Sequence, residues 1–491
     1  ILMADAIRQM LHRNGVPRLV LVQSTTDVLG IRSVNQGIAT LARCLQSKAI
    51  TAIFSVNEGG LMAMKPGAET SNPSTTIVTV NTENIHKMDK KSFLQAGHTP
   101  TLLAAFLYFD LAFMVWVLLG PLGIGIAKDL GLSHAEKGMM VATPVLAGAL
   151  LRIIMGILVD RLSPKKAAII GQVIVIAAMA YAWQVGVHSY AEVLILGLFL
   201  GVAGASFAAA LPLASRWYPA EHQGTAMGIA GAGNSGTALA ALFAPGLAAA
   251  FGWVNVFGIV LIPLTIVLIA FIFMAKDAPD APPPKTFAEY MKVLKDKDAW
   301  WFMFFYSVTF GGFVGLASSL VIYFNTQYGL DPKMAGFFTA GCVFAGSLVR
   351  PIGGNVADRI GGVKSLSVMY VFAAIFLAIV SFGLPEAWMA LAAFVGAMLA
   401  LGMGNGAVFQ LVPQRFRKEI GVMTGLVGMA GGVGGFYLAS SLGYSKQLTG
   451  TYQAGFLIFA ALAVLALVGL TGVKTRWRTT WGASHLTAAK I

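Results

Sequence analysis

The residues best placed to do chemistry in this chain are two arginines set in apolar sequence. Arg152 lies in "LLRIIMGILVDRL" (150–162) and Arg350 in "LVRPIGGNVADRI" (348–360). Each precedes an Asp-Arg pair by eight residues, and the two copies are offset by 198 residues. A guanidinium is a rigid planar fork of donors that stays charged at any relevant pH, so it matches a planar or trigonal oxyanion. Two forks related by an internal repeat would grip a small anion from opposite sides. A charge inside a membrane span is costly and normally faces a cavity or a partner. The competing reading makes each arginine a structural cation paired with a buried acid. Asp110 is the only carboxylate well inside an apolar segment, and one acid cannot neutralise two arginines.

The elements that must position these side chains follow from composition. The 491 residues are 57% hydrophobic and only 11% charged, with mean hydropathy +0.75. A soluble domain carries about 25% charged residues, so a membrane protein is expected. From residue 101 onward twelve apolar segments reach spanning length, the first at 101–126 and the last at 452–473. Helix is the default state, because backbone groups find no partners in lipid. The expected architecture is therefore an all-α membrane protein of twelve transmembrane helices in two pseudo-symmetric six-helix halves. The halves are 88–275 and 299–473, joined by a central loop at 276–298 and followed by a tail at 474–491. The part "TFAEYMKVLKDKD" of that loop could form a short amphipathic helix on the inner surface.

Charge placement sets orientation and removes rival classes. The net charge of +13 is not gathered in one patch, which argues against nucleic acid. Nineteen Lys and Arg fall in one set of connections, whereas the alternating set holds Lys128, Lys137, Lys333 and Lys446. The positive-inside rule puts the nineteen, and both termini, in the cytoplasm of a multi-pass cell-membrane protein. Two cysteines, Cys44 and Cys342, indicate no disulfide framework, and no metal, nucleophile or Walker motif stands out, so neither an enzyme nor an ATP-driven pump is expected. Residues 1–87 fit neither half. They are read as a disordered extension or a mis-assigned start, with a cytoplasmic accessory segment as the alternative, since "MDKKSFLQAGHTPTLL" from Met88 looks like a natural beginning.

The depth of the arginines is set by the helix. Eight residues rise about 12 Å, so Arg152 and Arg350 lie near the middle of a hydrocarbon core about 30 Å thick. The Asp-Arg pairs, Asp160–Arg161 and Asp358–Arg359, lie at the cytoplasmic end, where they can latch the two halves. Glycines are paired as well, in "GTAMGIAGAGNSGTALAALFAPG" (224–246) and "GVMTGLVGMAGGVGGFYLASSLG" (421–443). Small residues at three- and four-residue spacing let membrane helices pack and slide. Gly228, Gly231, Gly233, Gly236, Gly431, Gly432, Gly434 and Gly435 are assigned that role. Asn234 differs, because an amide among glycines can donate to an anion without adding charge.

These motifs carry a family resemblance. "GILVDRLSPKK" (156–166) and "GNVADRIGGVK" (354–364) resemble the loop signature of the major facilitator superfamily, with Ser163 where the pattern usually has glycine. "RWYPAEHQGTAMGIAGAGNSG" (216–236) and "MAGGVGG" (429–435) resemble the paired glycine signatures of its nitrate/nitrite porter family. "FLYFDLAFMVWVLLGPLG" (106–123), "FYSVTFGGFVGLASS" (305–319) and "LVRPIGGNVADRIGG" are similar to that family's first, seventh and eighth spans. The resemblance covers 88–475. It implies that Arg152 and Arg350 hold the anion, that Asn234 and Tyr306 assist, and that aromatic rings sandwich the ion. Phe310 matches that pattern, and Phe113, Phe207 and Phe409 are placed in it by their positions in spans one, four and ten.

The expected function is secondary transport of nitrate, and of nitrite, by alternating access, in a protein that works as a monomer and needs no cofactor. An interior-negative potential opposes anion entry by about 2.3 kcal/mol per charge at 100 mV. Uptake therefore needs a cotransported cation or exchange for an internal anion. Proton symport through Asp110 is the leaning, with nitrate/nitrite antiport close behind and a structural role for Asp110 still open. An organophosphate antiporter and a nontransporting nitrate sensor are the rivals of other kinds.

Overall fold

The apolar segments become helices because their backbone must be self-sufficient, and prolines account for two of the four places where those helices break. The computed structural model describes residues 51–57, 60–64, 76–81, 93–218, 220–279, 287–416 and 419–480. The chain forms two units, 1–92 and 93–491. In the first, β1 (Thr51–Asn57), β2 (Gly60–Met64) and β3 (Thr76–Asn81) make an antiparallel sheet in the order β2-β1-β3. Ile53 stands opposite Met64 on one side and Thr79 on the other. The expectation of a disordered or mis-assigned start falls mostly outside the described residues.

In the second unit every described regular element is helical, and twelve helices are long and apolar enough to cross a membrane. They are α1 (Thr99–Leu130), α2 (His134–Arg161), α3 (Pro164–Val185), α4 (Tyr190–Ser215), α5 (Ala226–Phe251) and α6 (Trp253–Met274). After the central connection come α7 (Lys297–Tyr328), α8 (Pro332–Ile360), α9 (Gly362–Ser381), α10 (Ala387–Arg415), α11 (Val422–Thr449) and α12 (Gln453–Thr479). A short helix, Phe287–Val293, forms inside the stretch expected to be amphipathic. Large apolar side chains such as Ile262, Ile266 and Phe273 face outward, as a lipid-bathed surface requires.

Four of the spans are interrupted. α1 breaks after Trp116, because Pro121 has no N–H for the carbonyl of Val117. α8 breaks at Val349 for the same reason, Pro351 leaving the carbonyl of Ser347 without its helical donor. α4 breaks at Ala205–Ser206, and α5 at a 3-10 turn, Ala232–Ser235.

The two halves meet at one end of the bundle. There the backbones of Gly138 (α2) and Gly443 (α11) touch, a Cβ on Gly138 lying 2.8 Å from the Gly443 Cα. The N–H of His134 donates to Gln447 Oε1 at 3.0 Å across the same seam. At the opposite end Asp160, Asp296 and Asp298 are paired within their own halves. Arg216 Nη2 reaches Asp160 Oδ1 at 3.5 Å, and Arg415 holds both Asp296 (2.5 Å) and Asp298 (2.9 Å). Asp298 is buried, and Arg476 and the Trp477 indole also donate to it.

The turn between α2 and α3 contains a testable strain. Ser163 has φ 150° and ψ 159°, a region that in practice only glycine occupies, at a cost of about 1–3 kcal/mol for other residues. Its counterpart 198 residues on is Gly361, at φ 100°. Ser163 Oγ does accept from the Lys166 N–H at 3.2 Å, but replacing such a cap by glycine costs only a few tenths, roughly, of a kcal/mol. Relief of strain wins. Ser163→Gly is expected to stabilise the protein by about 1 kcal/mol, read as a higher thermal midpoint in detergent, and a lower midpoint would refute the strain argument.

Candidate anion site

The interrupted helices bring their broken ends to one place. Arg152 lies on unbroken α2 and is 1% exposed. Its Nε donates to the Gly204 carbonyl at 3.1 Å. That carbonyl is available because α4 breaks there, the Ala208 N–H bonding to Ala205 instead of to Gly204. Its Nη1 donates to the Gly428 carbonyl of α11, a link between the two halves. Its Nη2 is buried without a partner among the described residues. Three rings enclose the guanidinium, with Phe207 at 5.2 Å and Trp116 and Phe310 at 5.3 Å from its carbon. Contacts of this kind gain strength when water is excluded.

Arg350 starts the second segment of α8, immediately before the proline that breaks the helix. Its Nη2 donates to the Tyr306 hydroxyl at 3.4 Å, and its guanidinium lies 5.5 Å from the Phe409 ring. Its Nη1 is also buried without a partner among the described residues. Rings connect the two arginines. Phe310, on Arg152, stacks on Tyr306 with planes 5° apart and centroids at 5.1 Å. Phe409 stands edge-on to Tyr306 at 89°, and Phe207 approaches Phe409 at 6.4 Å.

Arg152, Arg350, Tyr306, Phe310, Phe207 and Phe409 thus come together. Phe113 stands one ring away, edge-on to Trp116 at 4.8 Å and tilted against Phe109 at 4.2 Å. Asn234 is buried on the 3-10 turn of α5 with its Oδ1 unpartnered among the described residues, and neither arginine hydrogen-bonds to it. Asp110 is buried on α1 and accepts from Ser235 Oγ at 2.7 Å, beside the same turn. Asp160 pairs with Arg216 inside its own half, and Arg161, Asp358 and Arg359 are exposed at that end of the bundle.

The glycines divide into two groups. A Cβ on Gly431 would lie 2.7 Å from Tyr306 and 2.8 Å from Phe310, and one on Gly432 would lie 2.6 Å from Ala149. Gly434 is pressed onto the Ser307 carbonyl, and Gly435 lies between Val314 and Val145. Gly233 and Gly236 are pressed onto Phe109 and Asp110 of α1. In contrast, Gly228 has open space around it, and Gly231 meets only Leu211, at 4.0 Å.

Trp116, Gly204 and Gly428 were not singled out in the sequence. The signal available for Trp116 was a large indole in mid-span, five residues before Pro121. Its N–H donates to the Pro144 carbonyl of α2 at 2.7 Å, which fixes the ring against Arg152. Gly204 and Gly428 contribute only carbonyl oxygens, which no residue type announces.

Comparisons with known proteins identify the family. The family model described as Major Facilitator Superfamily matches residues 102–439. The probable nitrate/nitrite transporter NarK2 of Mycobacterium tuberculosis is 35% identical over 367 residues, covering 72% of this chain and 91% of the relative. The nitrite extrusion protein of Bacillus subtilis is 33% identical, covering 72% of this chain and 89% of the relative. The probable nitrate/nitrite antiporter NarK1 of Thermus thermophilus is 30% identical, with 74% and 88% covered. The solved structure of a bacterial homolog to the human lysosomal transporter Spinster, inward-facing and occupied, matches with TM-score 0.60 at 17% identity. It covers 76% of this chain and 96% of that one. The chain belongs to the major facilitator superfamily, whose twelve-helix transporters are not enzymes. Within it, the chain belongs to the nitrate/nitrite porters.

Proposed function

We propose that this protein carries nitrate, and also nitrite, across the cell membrane by alternating access, as a monomer with both termini in the cytoplasm. One observation carries the reading. Two arginines, each with one buried guanidinium nitrogen unpaired among the described residues, are joined by a chain of aromatic rings. Unpaired buried donors are expensive, and a small anion with several acceptor oxygens removes that cost at both ends. Flat rings beside the donors suit a flat ion. The groups touching the two arginines are rings, a phenol and backbone carbonyls, which suit a small monovalent ion better than an organophosphate. Relatives named as nitrate or nitrite transporters support the same substrate.

Uptake against an interior-negative potential is coupled to protons through Asp110. The carboxyl sits buried beside the α5 turn, with a single serine hydroxyl as its side-chain partner. Exchange for internal nitrite is the second reading. It is favoured by the absence of any carboxylate among the described groups that contact the arginines, since a site of fixed positive charge reorients more easily when loaded. Nitrate uptake into proteoliposomes tests both, with an inward proton gradient or with internal nitrite. Proton-driven uptake by the wild type, reduced at least about tenfold in Asp110→Asn, is the expected result. Uptake that needs internal nitrite and survives Asp110→Asn makes the protein an exchanger. No nitrate movement under either condition removes the substrate assignment.

A further inference from the structure

We propose that Trp116 is a positioning residue for the anion site, its indole face holding the Arg152 guanidinium in the orientation that presents Nη2, an inference that rests on the nitrate reading above. The ring is fully buried, on the last residue before the break in α1. It lies along one stripe of α2, the helix that carries Arg152. Pro144, Gly148 and Arg152 follow one another at intervals of four residues and so share a face. The indole N–H donates to the Pro144 carbonyl at 2.7 Å. At Gly148 the ring takes the space of the missing side chain, a Cβ there lying 2.6 Å from the indole nitrogen. At the end of the stripe the Arg152 guanidinium carbon is 5.3 Å from the ring centroid. Side chains on a helix lean toward its N-terminus, which brings Arg152 back onto the ring.

Gly204 of α4 seats the indole from another side. A Cβ on Gly204 would lie 2.7 Å from the indole Cδ1, and the Gly204 carbonyl is the acceptor for Arg152 Nε. One residue thus makes room for the ring and holds an edge of the guanidinium.

The need for a wall follows from those hydrogen bonds. Nε and Nη1 are tied to the Gly204 and Gly428 carbonyls, and two bonds fix a line about which the guanidinium can still tilt. A tilt swings Nη2, the nitrogen without a partner among the described residues. A flat ring against the guanidinium stops that swing, and indole is the strongest aromatic face for a cation. Phe207 and Phe310 also touch the guanidinium. Phe207 sits just past the break in α4, and Phe310 belongs to the other half. Trp116 is hydrogen-bonded to Arg152's own helix, so it is the wall fixed in the frame of Arg152 itself. Without it, part of the population holds Nη2 away from the anion, and apparent affinity falls by that fraction.

Trp116→Phe and Trp116→Leu separate the aromatic face from the other roles of the ring. Both lose the indole N–H and leave space behind, and only phenylalanine keeps a face. Nitrate affinity is measured by calorimetric titration of the detergent-purified full chain, with the thermal midpoint of each variant alongside. Trp116→Leu is expected to weaken nitrate about tenfold and Trp116→Phe by less than about threefold, with midpoints lowered to a similar extent. Equal weakening in the two variants makes the indole a packing group and overturns the proposal, as does unchanged affinity in Trp116→Leu. If Trp116→Leu does not survive purification, Gly148→Ala decides, because it keeps every ring and guanidinium atom while its methyl displaces the indole. Nitrate binding about threefold weaker is then expected, and wild-type affinity overturns the proposal. A wild type that binds no nitrate sinks the nitrate reading itself, whereas a binding wild type with unaffected variants sinks only the role of Trp116.

Discussion

Arg152→Lys is expected to reduce nitrate transport to about a hundredth of the wild-type rate or less, although the charge is kept. The reason lies in how the guanidinium is divided. One nitrogen is bound to the Gly204 carbonyl exposed by the break in α4, a second crosses to the Gly428 carbonyl of the other half, and the third is left for the anion. An ammonium is a compact point charge and cannot reach all three positions in one plane. A lysine that reaches the anion leaves two buried carbonyls unpaired, and one that satisfies the carbonyls withdraws from the anion. It also loses the guanidinium contacts with Trp116, Phe207 and Phe310. A hydrogen bond to a charged group contributes about 1.5–3 kcal/mol, so one lost contact to the anion already accounts for roughly tenfold to a hundredfold. The link to Gly428 adds a second effect, because it is a bond between the two halves. Nitrate flux in proteoliposomes, with nitrate binding measured alongside, checks the prediction. Near wild-type flux in Arg152→Lys would mean that charge alone suffices and that the planar geometry is incidental.

Legibility of this site in the sequence followed residue chemistry. The arginines stood out because a charge in an apolar span is rare, and the offset of 198 residues assigned them to equivalent places. Tyr306, Phe310, Phe207 and Phe409 came from the family pattern, since composition cannot single out four rings in a chain with 31 phenylalanines. Phe113 came from the same source and lies one ring behind, because Trp116 occupies the place beside Arg152. The breaks in α1 and α8 could be read from Pro121 and Pro351. The breaks in α4 and α5 have no proline at the point of fracture, and the freed carbonyl of Gly204 was invisible for that reason. The Asp-Arg motif showed where charge collects at the end of α2 but not its partner in this conformation, which is Arg216 of the same half.

Gly434→Val is expected to disable the transporter as thoroughly as loss of an arginine, whereas Gly228→Val, in the partner signature, is expected to be silent. Sequence gives both glycines the same role, yet their surroundings differ. A Cβ on Gly434 would enter the backbone carbonyl of Ser307 on α7, and the contact is reciprocal, a Cβ on Gly311 lying 2.7 Å from the Gly434 backbone. Neither obstacle is a side chain that can rotate away, so the helices themselves must part. Overpacking of this sort costs about 1–3 kcal/mol, and more where backbone is displaced. The functional loss should exceed the loss of stability, because Ser307 directly follows Tyr306 and lies three residues before Phe310. Moving α7 away from α11 at this point pulls the tyrosine from Arg350 and the phenylalanine from Arg152 together. Among the described residues nothing lies within 4 Å of a Cβ on Gly228, so no described backbone opposes an added side chain. Thermal midpoint and nitrate flux, measured in parallel for both variants, give the answer. A tolerated Gly434→Val would show that α7 and α11 are not locked at this level, and a damaging Gly228→Val would point to a closer approach of α5 in another state of the cycle.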